Sequence, residues 1–186
     1  MTILDIKIFL AKIKINFKET PILNSVSNEF TRILGDLILQ KPEFSKKYVT
    51  APAARSHHQN YKAGLLEHSY KLALWLSMRA EVVGLTAYDC AAIAFAHDLC
   101  KVESYWFTND QINFDQELIK RHASYSVEIA EKLGMELNEV QKVCIYLHMA
   151  GAWYLPEDKA NVTPQQINKY FDAICATQWA DMKACE

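Results

Sequence analysis

Three side chains able to hold a metal stand where apolar residues are expected. His97 follows Ile93 by four residues in AAIAFAHDLC, a run otherwise almost wholly Ala, Ile and Phe, so on a helix the two share a face. His148 bears the same relation to Cys144 inside VCIYLHM. Asp181 continues the seven-residue recurrence of Ile167 and Ile174, which turns it inward on a final helix. A carboxylate buried alone is costly and is usually paired or metal-bound. Singly, each residue also fits a plainer role, as a hydrogen-bonded core histidine or a helix-end carboxylate paired with a lysine or arginine. Together they are the residue types that hold a hard or borderline divalent ion.

Bringing such residues to one point calls for helices. Glycine and proline number five each, which argues against a turn-rich all-β fold. The opening ILDIKIFLAKIKINF reads two ways: Ile6, Leu10, Ile13 and Phe17 form a helical stripe, while Ile13, Ile15 and Phe17 alternate like a strand. A helix is preferred because nothing downstream resembles a partner strand. A second helix is expected from Ser27 or Asn28, burying Phe30, Ile33, Leu34, Leu37 and Ile38 and stopping at Lys41-Pro42. Residues 43–61 read as a connecting loop, and 62–79 as a helix with Leu65, Leu72, Trp75 and Leu76 inward.

Thr86 and Asp89 resemble a capping box that opens a helix running through CAAIAFAHDLCK. The segment VESYWFTNDQINFDQ reads as an irregular, aromatic-rich excursion. Helices are expected at 119–133, ended by Gly134, and at 138–149, where Asn138 and Gln141 form a capping pair. Thr163-Pro164 opens a last helix that runs to the C-terminus. No internal repeat, low-complexity tract or linker divides the chain, so a single all-α domain over 1–186 is expected.

Bulk properties narrow the function. The 186 residues can bury a sizeable core, and the formal net charge is −2 with lysines and arginines spread along the chain. No basic run marks a nucleic-acid groove, which favours a small-molecule substrate over a long polynucleotide. The five cysteines are odd in number and none forms C-x-x-C, which fits a reducing compartment and excludes zinc-ribbon patterns. Most of them read as small apolar fillers of helix faces. Asp5, Lys7, Lys12 and Lys14 interrupt the apolar N-terminal stretch, leaving no signal-peptide core, and no segment is long enough to span a bilayer. A cytoplasmic location is expected, with self-association into a homo-oligomer left open.

Three segments resemble the HD-domain metal-dependent phosphohydrolase superfamily: GLLEHS at 64–69, AFAHDLCK at 94–101 and QWADMKA at 178–184. The ordered pattern of that superfamily is a histidine, the HD pair and a late aspartate, matched by His68, His97-Asp98 and Asp181. Members with two metals carry two more histidines, matched by His122 in KRHASYSVEIAEKLG and His148 in YLHMAG. The stretch HHQNYKAGLLEH also resembles the HD module of some bacterial exoribonucleases, where a glycine stands in place of Ala63. The resemblance covers about residues 51–185.

The resemblance implies a helical bundle around a central metal site. His68, His97, Asp98 and Asp181 would hold one ion, His122 and His148 would complete a second, and Asp98 would bridge them. Mn, Fe, Co, Ni or Zn suit these ligands, while Mg accepts fewer histidines. Two such ions would lower the pKa of a bridging water and neutralise charge during phosphoryl displacement. Asp98 is thus a catalytic as well as a ligand candidate. Lys101, about one turn beyond it, is placed to contact a phosphate oxygen, unless it is only a cation at a helix end.

Arg55, His57 and His58 are further candidates, for a phosphate tail. Glu67 is an acid–base candidate or a solvent-facing residue. Tyr105, Trp106, Phe107, Trp153 and Tyr154 are either core or the wall of a base-binding pocket. The expected activity is hydrolysis of a phosphate ester in a small nucleotide, by a chain with no nucleic-acid-binding, sensor or membrane segment attached. The alternatives are a phosphodiesterase or exonuclease on oligonucleotides or cyclic nucleotides, and a non-catalytic nucleotide-binding module.

Overall fold

A helix that is apolar on every side has to be enclosed, and AAIAFA makes one. A computed structural model gives the fold and describes residues 3–13, 20–56, 58–149 and 161–186. The N-terminal segment is helical: α1 (Ile3–Lys12) turns Ile6 and Leu10 into the core and leaves Leu4 and Ile8 outside. Phe17 lies outside the described residues. Helix α2 (Pro21–Gln40) begins nearly two turns earlier than expected, because Thr20 Oγ1 accepts from the Leu23 N–H at 3.3 Å and Pro21 occupies the first helical position. Its buried stripe is Val26, Phe30, Ile33, Leu34 and Leu37.

The expected loop over 43–61 is corrected in its first part. Pro42 opens α3 (Pro42–Tyr48), again as an N-terminal helical proline, and this turn of helix places Tyr48 in the core against Phe95, with ring centroids 4.8 Å apart. The connection after it leads into α4 (Gly64–Ser77), followed by the short α5 (Ala80–Val83). Helix α6 (Ala87–Ala96) opens with the Thr86–Asp89 capping box, is buried from Asp89 onwards, and packs against α2, α4 and α10 (Glu139–Tyr146).

Four expected elements come out differently. Helix α6 stops at Ala96, and turns through 97–100 lead into α7 (Lys101–Ser104). The aromatic excursion contains a hairpin, β1 (Tyr105–Thr108) paired antiparallel with β2 (Gln111–Phe114), Tyr105 opposite Phe114. Its two-residue turn, Asn109-Asp110, has φ of 49° and 61°, the left-handed pair that tight hairpins need and that Asn and Asp tolerate. The expected helix over 119–133 is two, α8 (Gln116–Lys120) and α9 (His122–Lys132), separated at Arg121. The last helix is likewise divided at Tyr170 into α11 (Pro164–Lys169) and α12 (Phe171–Ala184). Among the described residues the hairpin is the only sheet in an otherwise helical fold, and the buried apolar residues of the main helices form one contiguous core. Among the described residues, no helix is long and apolar enough to cross a membrane.

The entry to α4 is strained. Ala63 has φ 70° and ψ 10°, a left-handed conformation that costs an L-residue with a Cβ about 1–2 kcal/mol. A Cβ at the neighbouring Gly64 would lie 1.9 Å from the Gln59 carbonyl oxygen, so no side chain fits there. Chemical denaturation should therefore show Ala63→Gly stabilising the fold by roughly 0.5–1 kcal/mol, the strain relieved less the glycine's extra unfolded-state entropy. Gly64→Ala should destabilise it by about 2–3 kcal/mol.

Candidate metal centre

Helix ends deliver the site. His68 lies in the second turn of α4; His97 and Asp98 follow the last residue of α6; His122 is the first residue of α9; His148 lies two residues beyond α10; Asp181 is in the last turn of α12. The two helices that carry His97 and His148 are tied at their starts. Asp89 Oδ1 accepts from Asn138 Nδ2 at 2.9 Å and Gln141 Nε2 at 2.8 Å, so the capping boxes of α6 and α10 share one carboxylate. At the other end, Gln178 Nε2 donates to the Leu147 carbonyl at 2.7 Å, joining α12 to the residue before His148. Trp179 of α12 meets Trp75 of α4 edge to face at 5.5 Å, which brings Asp181 over His68.

All six expected ligands come together around Asp98. Its Oδ2 lies 3.2 Å from His97 Nε2 and 3.9 Å from His68 Nε2. Its Oδ1 lies 2.9 Å from His122 Nε2 and 3.9 Å from His148 Nε2. Asp181 Oδ1 completes the first group, 2.9 Å from His68 Nε2 and 3.8 Å from His97 Nε2. Each Asp98 oxygen thus faces its own pair of imidazoles. Ligand atoms of His68, His97 and Asp98, and those of Asp98, His122 and His148, lie within 4.8 Å of one another, every residue buried.

The tautomers are partly fixed by the backbone. His97 Nδ1 donates to the Ala94 carbonyl at 2.8 Å, and His148 Nδ1 donates to the Ile145 carbonyl at 2.7 Å. Both therefore turn Nε2, the nitrogen that carries the lone pair in the neutral ring, into the cluster. The His122 and His148 Nε2 atoms are 2.9 Å apart, so His122 is the donor across that contact. Burial alone would raise the Asp98 carboxyl, but Lys101, His97 and His122 hold it well below the usual carboxylate range. Asp181 is also depressed: burial opposes this and His68 outweighs it. Burial, with His122 and His97, pushes His148 down to about 3. His122 is raised to about 10, burial opposing and the Cys100 sulfur and Asp98 prevailing.

A divalent cation fits this chemistry on two observations. His97 Nε2 is buried with no hydrogen-bond partner although its lone pair is free, and Asp98 Oδ1 is also buried without one, His122 approaching it but forming no aligned bond. Imidazoles, which a cation would bind in exchange for the Nε2 proton, and ionised carboxylates in a buried cluster are cation ligands in type and number. The clusters can hold divalent metal.

The remaining candidates are distributed around this centre. Lys101 is buried, and its Nζ pairs with Asp98 Oδ2 at 2.5 Å, so it is a member of the cluster and no solvated helix-end cation. His58 is half-buried with its ring 5.0 Å from that of His68, and one of its ligand atoms groups with His68 and Cys185. Burial, then His68, push its imidazole down to about 4. Arg55 is exposed, with its guanidinium 4.9 Å from the Phe114 ring centre. His57, Trp153 and Tyr154 lie outside the described residues. Glu67 accepts from Tyr61 at 2.7 Å and pairs with Lys71 at 3.0 Å. Tyr105 and Phe107 are partly buried on β1, and Trp106 is about half exposed.

One residue that the sequence reading passed over touches the centre. Cys100, read as an apolar filler, has its Sγ 3.3 Å from His122 Nδ1. Its place three residues after His97 was the available signal, since that spacing keeps it in the turn around the pair.

Among protein-family models, the HD domain matches residues 65–176, more than half of the chain. No curated protein and no solved structure matches. The matched interval contains His68, His97, Asp98, His122 and His148 and stops just before Asp181.

The shared cap generates a pH prediction. Burial tends to raise the Asp89 carboxyl, but bonds accepted from Thr86, Asn138 and Gln141 lower it below its ordinary value. Its contribution to stability is therefore present above the ordinary carboxylate pKa and lost as pH falls through the depressed folded value. Asp89→Asn should lower unfolding free energy by about 2–3 kcal/mol at neutral pH. Denaturation across a pH series should show the gap from wild type narrowing below about pH 4.

Proposed function

The chain belongs to the HD domain family, and on that premise we propose that it is a metal-dependent phosphohydrolase with two adjoining cation sites that share Asp98. The observation that carries this reading is the division of Asp98, Oδ2 towards His97 and His68, Oδ1 towards His122 and His148. In it, His68, His97, Asp98 and Asp181 hold one ion, and Asp98, His122 and His148 the other. Bound divalent ions would acidify a water and neutralise charge on phosphoryl oxygens.

The side chains have their own tasks. The Ala94 and Ile145 carbonyls keep His97 and His148 in the tautomer that offers Nε2. Lys101, raised in pKa by Asp98 against the pull of burial, stays protonated beside the cluster. Its ammonium is the charge a phosphoryl oxygen would meet, and pairing with Asp98 holds it in place before substrate arrives. Burial keeps bulk water from screening these charges.

The proposed substrate is a small nucleotide. Lys101 leads through α7 directly into the hairpin, whose aromatic face is flanked by cations: Arg55 over Phe114 at 4.9 Å and Lys62 over Phe107 at 5.8 Å. Rings beside fixed positive charge suit a base and its phosphates. The test is phosphate release from nucleoside mono-, di- and triphosphates with Mn, Co, Ni, Fe, Zn or Mg added. One nucleotide class should be cleaved. Asp98→Ala should lose turnover and bound metal together, and Lys101→Ala should lower turnover about 100-fold with metal retained. Turnover of diesters alone would replace the monoesterase with a phosphodiesterase. Bound metal with no turnover of either would favour the binding module, and an active Asp98→Ala variant would overturn the mechanism.

A further inference from the structure

Metal-binding imidazoles depend on what holds the nitrogen that does not bind, and the three histidines at the ends of α6, α9 and α10 are held differently. His97 and His148 each follow the end of a helix, where the carbonyl three residues back is available, and each ring donates to it. His122 opens its helix, so no earlier carbonyl of that helix exists for its ring. Its Nδ1 instead meets the Cys100 sulfur at 3.3 Å, inside the protein.

That sulfur is itself held. The Cys100 N–H donates to Ser126 Oγ at 3.0 Å, and the same hydroxyl donates to the His122 carbonyl at 2.9 Å. Cys100, Ser126 and His122 therefore form a closed clamp between the turn that carries His97-Asp98 and the first turn of α9, and all three are buried. The backbone link fixes where the thiol sits relative to His122, and the thiol orients the ring. This pattern differs from that of a passive filler, which would touch only apolar atoms.

We propose that Cys100 is a positioning residue for the second cation site: its thiol accepts from His122 Nδ1–H and so aims His122 Nε2, with Asp98 Oδ1, at the ion. This rests on the two-cation reading above. The first site has four candidate ligands and does not use His122, so Cys100 governs occupancy of the second site alone. The second site has three candidate ligands against four in the first, and His122 is held by a sulfur, a weaker acceptor than a carbonyl, which makes the second ion the more weakly held of the two.

The test is a Mn²⁺ titration of the whole chain, with bound ions counted by elemental analysis, for wild type, Cys100→Ala and Cys100→Ser. Wild type should bind two ions in separate steps. Cys100→Ala should weaken the second step about 10–100-fold and leave the first within about twofold. Cys100→Ser keeps an acceptor at that position and should restore the second step to within a few-fold of wild type. In a nitrogen-15 NMR spectrum, the His122 Nδ1–H signal should persist in the serine variant and be lost in the alanine one. Equal weakening by serine and alanine would overturn the proposal and leave Cys100 a packing residue. Two unchanged steps in Cys100→Ala would also overturn it. A wild-type chain that binds one ion or none would instead remove the two-cation reading, which separates the two failures.

Discussion

A carboxylate with both oxygens buried must have each of them answered by charge or a donor, and Asp98 sets that demand at the centre of this fold. Lys101 and the imidazoles around it keep it ionised, and Asp181 with His68 repeats the arrangement beside it. Groups so placed gain nothing from the apolar core that surrounds them, and hydrophobic residues of the same size would pack there at lower cost. Their retention makes sense where a cation takes the place of the missing donors at His97 Nε2 and Asp98 Oδ1.

The architecture follows from serving one point with six side chains. A residue in the middle of a helix reaches only what that helix packs against, whereas a helix end can turn its side chain along the axis. Helices α6, α9 and α10 accordingly stop or start at the centre, Asp181 lies in the last turn of α12, and of the six only His68 lies more than a turn from a helix end. The elements are registered far from the chemistry. Asp89 locks the starts of α6 and α10 together, and the Trp75–Trp179 contact with the Gln178 bond locks α12 against α4 and the end of α10. A slip of one turn in any of them would move a ligand by more than the few ångströms that separate the ring nitrogens from Asp98.

His97, His148 and Asp181 were legible in the sequence because apolar surroundings make a polar residue conspicuous, whereas His68, Asp98 and His122 were named only through the resemblance to the HD-domain superfamily. His97 in AAIAFAHD and His148 in VCIYLHM stand out for that reason, and the helix starts expected at Thr86, Asn138 and Thr163 recur in the fold, where the cap at Thr163 proves to be a full capping box with Gln166. The breaks were less legible. Thr20-Pro21 carries the same signal as Thr163-Pro164 but lies before the apolar stripe of its helix, and Pro42, read as a stop, is also a start. The Asn109-Asp110 hairpin was hidden by aromatic residues that suit a core as well as a strand. Breaks at Ala96 and Arg121 arise from tertiary demand, since a continuous helix would satisfy local propensity but carry His97, Asp98 and His122 past the centre. The role of Cys100 needs His122 brought from 22 residues away, which no local pattern reveals.

The central claim is that Asp98 bridges two cations, and electron paramagnetic resonance of the Mn²⁺-loaded chain addresses it most directly. Two Mn²⁺ joined through one carboxylate should give an exchange-coupled signal at full loading, replaced in Asp98→Asn by the spectrum of isolated ions or by no bound Mn²⁺. A fully loaded wild-type chain that shows only isolated, uncoupled Mn²⁺ would contradict the account.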